Sequence, residues 1–153
     1  MKILDFLNRD SIIANLAASG KEEVLGELAD QIARVELVNR DDVYKILWDR
    51  EQLGSTGIGD GVAIPHGTMA SINQQVALFA RSIDGVDFDA IDGEKTHIFF
   101  VLLTPDNNVG LQALARVSRL LRSEVFLESL LSSADGDSLY QTIADGDDKL
   151  KGS

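Results

Sequence analysis

Between residues 21 and 50 the apolar positions recur at helical spacing. Val24, Leu25, Leu28, Ala29, Ile32 and Ala33 follow Ser19-Gly20-Lys21-Glu22, whose S-x-x-E form predicts a capping box that opens a helix. A second helix is predicted from an Asn39 cap, with Val43 and Leu47 in one stripe, Tyr44 and Trp48 beside it, and Gly54 placed to end it. Arg50 falls in its last turn. Beyond the glycines the period shortens: VALFA (76–80) and HIFFVLL (97–103) are short runs rich in Val, Ile and Phe, apolar on both sides of the pleat. Both predict buried central strands. IIANL (12–16) and GVAIP (61–65) predict further strands, and helical spacing returns at Leu111, Leu114, Ala115, Ser118 and Leu121, then across 125–131, then at Leu139, Tyr140 and Ile143. Strands sheathed by helices on both faces predict a three-layer α/β domain.

Composition agrees with a single domain. The chain has 153 residues, 44% hydrophobic and 25% charged, the mix of a globular core, and neither a repeat nor a linker divides it. The domain is read over residues 1–147, with the acidic end at 148–153 expected to be a flexible tail. A formal net charge of −11 and a sequence pI near 4.4 argue against nucleic acid or an anionic membrane as partner, since both demand clustered Lys or Arg. A neutral or basic protein suits it better. Without cysteine there is no disulfide framework, thiolate nucleophile or Cys-based metal site, and the first residues carry no long apolar run of a signal peptide or membrane span. A cytoplasmic location is expected.

The stretch GSTGIGDGVAIPHG, residues 54–67, holds five of the chain's thirteen glycines and one of its two histidines. Gly54 to Gly59 has the G-x-x-x-x-G frame of a nucleotide P-loop, but Asp60 stands where that loop needs lysine. The dinucleotide fingerprint fails as well, because Val62 takes the third glycine position and the segment leads into proline. Two readings remain for the loop. It is either a connector with nothing bound, or, with Ser55, Thr56, free backbone N–H groups, Arg50 and His66, the surround of one small anion. His66 has two readings also: a hydrogen-bonded strand-end histidine, or a covalent nucleophile presented from the stiff backbone after Pro65. Two histidines without cysteine make zinc improbable. His97 reads as a strand-end histidine. The acidic run DGVDFDAIDGE (84–94) lacks the calcium-loop pattern and reads as a solvated turn.

The segment from Arg50 to Gly67 closely resembles the active-site signature of the enzyme IIA proteins of the fructose/mannitol class in the bacterial phosphoenolpyruvate-dependent phosphotransferase system, most of all the nitrogen-regulatory branch. The resemblance covers nearly the whole chain: the KEEVLGELA helix, the FDAIDG turn, the HIFFVLLTP strand and the following helix. It implies an αβα sandwich around a mixed β-sheet. It implies that His66 accepts a phosphoryl group from a histidine-containing phosphocarrier protein, that Arg50 lies beside that group, and that Gly54, Ser55, Thr56 and Gly57 form the loop near the site. Neither cofactor nor metal is implied, because the donor already carries an energy-rich P–N bond and the protein has only to align two imidazoles about one phosphorus.

One position departs from the resemblance. Members of the family usually carry a second histidine at the start of the helix after the TP turn, in an H-L-x-x-L frame; here Gly110 occupies it. The expected function is a phosphotransferase component with a covalent phosphohistidine rather than a stand-alone enzyme, in a regulatory branch. The alternatives are a sugar-transport IIA passing its phosphoryl group to a separate IIB subunit, and a regulator that binds proteins independently of phosphorylation.

Overall fold

A computed structural model describes residues 2–150. After two 3-10 turns, Ile3–Asp5 and Arg9–Ser11, the elements run β1 (Ile12–Ile13), α1 (Lys21–Glu36), α2 (Arg40–Gln52), β2 (Gly57–Gly59), β3 (Val62–Ala63), β4 (His66–Thr68), β5 (Val76–Val86), β6 (Thr96–Thr104), α3 (Asn107–Leu120), α4 (Glu124–Ser132) and α5 (Gly136–Lys149). The sheet is mixed, in the order β1-β5-β6-β3-β2, with β4 also on β6. β5 and β6 are its antiparallel centre, as the two apolar runs predict, whereas β1 lies parallel to β5 and both β3 and β4 lie parallel to β6.

Side-chain alternation divides the core between the two faces. Ala63, Leu78, Phe99, Val101 and Leu103 pack beneath α1 and α2, while Val62, Ile64, Phe79, Phe100 and Leu102 pack beneath α3 and α5. Each aromatic ring so buried contributes about 1.5–3 kcal/mol relative to exposure. Three layers result, as expected.

Several local expectations are corrected. Ser19 does not cap α1; Gly20 is the N-cap and no side chain caps it. The Glu23 carboxylate lies over Gly20, in space that a Cβ there would fill. β1 stops at Ile13 instead of running through IIANL, because buried Arg81 takes the Ala14 carbonyl with its Nε (2.9 Å) and the Leu16 N–H turns to the Arg81 carbonyl (2.8 Å). The acidic run is only partly solvated: Phe88 is fully buried and edge-on to Phe99 at 5.2 Å. Of the expected tail, Asp148 and Lys149 end α5, and residues 151–153 lie outside the described ones. Asn39 does cap α2, its side chain accepting from the Asp42 N–H at 3.0 Å.

Candidate functional site

GVAIP proves to be half of a longer feature. Val62 pairs with Ile98, Ala63 with Phe99, His66 with Leu102, Gly67 with Leu103 and Thr68 with Thr104, a constant offset along β6. β3 and β4 are therefore one strand alongside β6, flanked by β2 only at β3 and interrupted at Ile64-Pro65, where proline has no N–H for a ladder bond. The Pro65 carbonyl still accepts from the Leu102 N–H (3.0 Å), so the interruption keeps register. His66 thereby stands at a fixed height beside the centre of the sheet.

The His66 ring is half-buried, and its Nδ1 lies 2.6 Å from the Ile64 carbonyl oxygen. A carbonyl only accepts, so Nδ1 carries the proton and Nε2 keeps its lone pair in the neutral ring. Gly67 follows because α2 passes over it: a Cβ at that position would overlap Ile46 Cγ2. This close approach brings the C-terminal turn of α2, and with it Arg50, to the end of β4.

Arg50, His66 and Gly110 meet in a cleft of about 680 Å³ between that turn and the first turns of α3, floored by β4 and β6. Thr68, Thr104 and Asn107 add polar groups to its wall. The rim is apolar, with Leu53 84% and Leu111 66% exposed. Arg50 Nη1 donates to the Gly54 carbonyl at 2.9 Å, which leaves the remaining guanidinium N–H groups for an anion.

The glycine loop is not brought to the cleft. Ser55 Oγ donates to the Phe88 carbonyl (2.8 Å) and accepts from the Gly57 N–H (3.0 Å). The Thr56 N–H (3.0 Å) and its hydroxyl both donate to Glu51 Oε1, and the Gly54 N–H donates to the Glu51 carbonyl (3.1 Å). The backbone donors read from the sequence as an anion surround at Gly54, Thr56 and Gly57 are thus consumed inside the loop. Of these four residues only Gly54 reaches a site residue, through its carbonyl.

Glu51, unremarked in the sequence, is the loop's anchor. Its carboxylate is fully buried and meets Lys21 Nζ at 2.8 Å. Burial alone would lower the Lys21 ammonium, but the hydrogen bond and charge of Glu51, followed by those of Asp89, outweigh it and hold its pKa above the ordinary value. The only signal in the sequence was adjacency to Arg50 in the segment that carries the resemblance. His97 behaves as the plainer reading expects: Nδ1–H donates to the Ser82 carbonyl at 2.9 Å, and the ring packs on Gly85.

These features define an α/β domain with a histidine–arginine cleft at the edge of its sheet. The chain belongs to the EIIA 2 family of the phosphoenolpyruvate-dependent sugar phosphotransferase system, whose family model matches residues 5–146. It is 36% identical over 146 residues to a nitrogen regulatory protein of Bradyrhizobium diazoefficiens, a match covering 94% of this chain and 95% of that protein. It is also 36% identical over 146 residues to the fructose-specific EIIABC component of Bacillus subtilis, covering 94% of this chain but 23% of that longer protein. The crystal structure of the nitrogen regulatory protein IIA-Ntr from Neisseria meningitidis is similar with a TM-score of 0.82 at 32% identity, over 91% of this chain and 97% of that one. Among the described residues no helix is long and apolar enough to cross a membrane.

Proposed function

We propose that this protein is a phosphoryl carrier that takes its group on His66 Nε2 from a histidine-containing phosphocarrier protein, in a regulatory branch of the nitrogen type. The observation that carries the reading is the Nδ1–H bond to the Ile64 carbonyl, which leaves Nε2 as the nucleophilic atom of a ring half-open to the cleft. In the transfer the Nε2 lone pair forms the new N–P bond while the donor's N–P bond breaks, its electron pair returning to the donor nitrogen. The donor leaves as neutral imidazole, and His66 becomes a phosphoimidazolium that retains its Nδ1 proton on Ile64. No proton has to move.

Arg50 is placed to balance the phosphoryl oxygens with the guanidinium N–H groups that Gly54 leaves free. The apolar rim at Leu53 and Leu111 suits a docking protein, and the net charge of −11 favours a basic one. Relatives named as nitrogen regulatory proteins favour regulation. An equal identity to a fructose-specific component keeps the transport reading in view, in which His66 hands its group to a IIB subunit.

The test is labelling from phosphoenolpyruvate through a phosphocarrier. Wild type takes up one phosphoryl group, acid-labile and base-stable; His66→Ala takes none, and His97→Ala labels normally. Label retained in His66→Ala defeats the assignment. Capture of partners by unmodified and phosphorylated protein then separates regulation, in which the bound set changes, from transfer to a IIB subunit, which removes the label.

A further inference from the structure

In parallel pairs the partner side chains share a face, and along a strand every second residue returns to it. His66 pairs with Leu102 and Thr68 with Thr104, so the side chains of His66, Thr68, Leu102 and Thr104 all project towards α3. Thr68 is occupied: its hydroxyl donates to Asn107 Oδ1 at 2.9 Å. Thr104 is different. It lines the cleft, is only 5% exposed, and among the described residues its hydroxyl makes no hydrogen bond. Its oxygen opens on the cleft instead of being sealed in the core, so the hydroxyl keeps its donor for whatever occupies the cleft.

The backbone of α3 makes room for this hydroxyl. A Cβ on Gly110 would stand 2.8 Å from Thr104 Oγ1 and 3.4 Å from Thr104 Cγ2, so any other residue at 110 crowds the threonine. α3 is a 14-residue helix whose first turns, at Asn107 and Gly110, form one wall of the same cleft. Its opening N–H groups and the positive end of its dipole give that wall an anion-attracting character. Asp106 takes one of those donors, the Val109 N–H, at 3.0 Å. The cleft thus holds an imidazole nitrogen, a guanidinium, a helix start and one unused hydroxyl donor.

We propose that Thr104 is a phosphoryl-binding residue, its hydroxyl donating a hydrogen bond to an oxygen of the phosphoryl group on His66 within the cleft that both residues line. The inference rests on the carrier reading above and deepens it. The hydroxyl donates only a hydrogen bond: no atom passes to or from Thr104, and the electron bookkeeping of the transfer is unchanged. Thr68 and Thr104 are cross-strand partners, and the bond from Thr68 to Asn107 leaves Thr104 as the threonine in this wall with a free donor.

The test compares Thr104→Val, which keeps the shape and removes the donor, with Thr104→Ser, which keeps the donor. Each is phosphorylated on His66 by the phosphocarrier and, separately, by phosphoramidate, a small N–P donor that needs no docking surface. A hydrogen bond to a charged group is worth roughly tenfold or more in rate. Thr104→Val is therefore expected to lose about tenfold or more with both donors, and Thr104→Ser to recover to within about threefold. Loss with the phosphocarrier alone places Thr104 in docking and overturns the proposal, as does a Thr104→Val rate equal to wild type or a Thr104→Ser rate no better than Thr104→Val. Should Thr104→Val fail to fold, the Thr104 methyl resonance of methyl-labelled wild type decides: a shift on phosphorylation of His66 supports the contact, and an unchanged resonance refutes it. Wild type left unlabelled at His66 by both donors overturns the carrier reading itself; labelled wild type with an indifferent Thr104→Val removes only the role of Thr104.

Discussion

Replacing Glu51 by alanine tests whether a buried ion pair holds the site's loop. The Glu51 side chain is 0% exposed, the Lys21 side chain that meets it is 18% exposed, and the Thr56 N–H and hydroxyl have no other acceptor. Breaking a buried pair from one side costs about 3–5 kcal/mol, because the surviving charge is left uncompensated. Lys21 keeps Asp89 at 3.3 Å and some contact with water, which points to the lower end, and the two orphaned Thr56 donors overlap with that cost rather than adding in full. About 3–4 kcal/mol is the expected loss, a large part of the roughly 5–15 kcal/mol by which a domain is stable. Urea unfolding followed by far-UV circular dichroism reads it as a lowered midpoint at unchanged slope. Glu51→Gln keeps an acceptor for Thr56 and should lose less. Lys21→Met strands the carboxylate and should cost a similar amount, whereas the double variant Lys21→Met/Glu51→Gln should cost clearly less than the two single losses summed. A Glu51→Ala loss below about 1 kcal/mol, or additive single losses, would show that the pair is not what holds the loop.

Other outcomes follow from the same geometry. Arg50→Ala should slow phosphorylation of His66 by roughly 10- to 150-fold with stability changed by no more than about 1 kcal/mol, and Arg50→Lys should recover only part of the rate; an unchanged rate in the labelling assay would make Arg50 a brace for Gly54 alone. Gly67→Ala forces α2 off β4 at Ile46, and should cost about 1–3 kcal/mol in urea unfolding as well as transfer rate. Lys21 has a folded pKa above its ordinary 10.5, so its contribution is fully present below that value and lost as pH rises through the folded one. The urea midpoint of wild type should accordingly fall above about pH 10.5 more steeply than that of Lys21→Arg, which stays charged. Gly110→His should destabilise despite replacing a helical glycine, a change otherwise favourable by about 0.5–1 kcal/mol, and Thr104→Ala added to it should restore stability non-additively.

What the sequence made legible was whatever depends on neighbours a few residues away. The apolar runs that became β5 and β6, the Asn39 cap and the stiff Pro65-His66-Gly67 presentation are local patterns. Burial of charge is not local. Arg116 meets Asp147 across 31 positions, its Nε 2.8 Å from Oδ1, and nothing in either segment marks that pair. Arg81 looks like the polar end of an apolar run, yet it shares the strand parity of Ala77 and Phe79 and is carried inward with them, where the Ala14, Leu130 and Ser133 carbonyls satisfy it. That parity was a readable signal. Phe88 was another, a large apolar residue within an acidic run, and its burial pins the turn that receives Ser55.

The glycine loop shows why composition alone misassigns such a segment. Glycines, hydroxyls and nearby N–H groups have the chemistry of an anion cradle, but the same donors can be satisfied internally, and a buried acceptor decides between the two. Here Glu51 is that acceptor. Its carboxylate and carbonyl draw in the Thr56 and Gly54 N–H groups, Ser55 folds onto Phe88 and Gly57, and the turn at Gly54, with φ of 137°, leaves a carbonyl aimed at Arg50. The loop therefore acts on the cleft at one remove, by holding a guanidinium, and the polar groups that line the cleft come from elements far apart in sequence: Arg50 at the end of α2, His66 on β4 and Thr104 on β6. A glycine substituted at 54 by a Cβ-bearing residue meets no steric obstacle, yet it is strained at that φ. Gly54→Ala should then impair phosphorylation through Arg50 in proportion to the displacement of its carbonyl. Combined with Arg50→Ala it should add nothing further to the loss of rate, and a further loss in the double variant would mean that the loop touches the phosphoryl group directly.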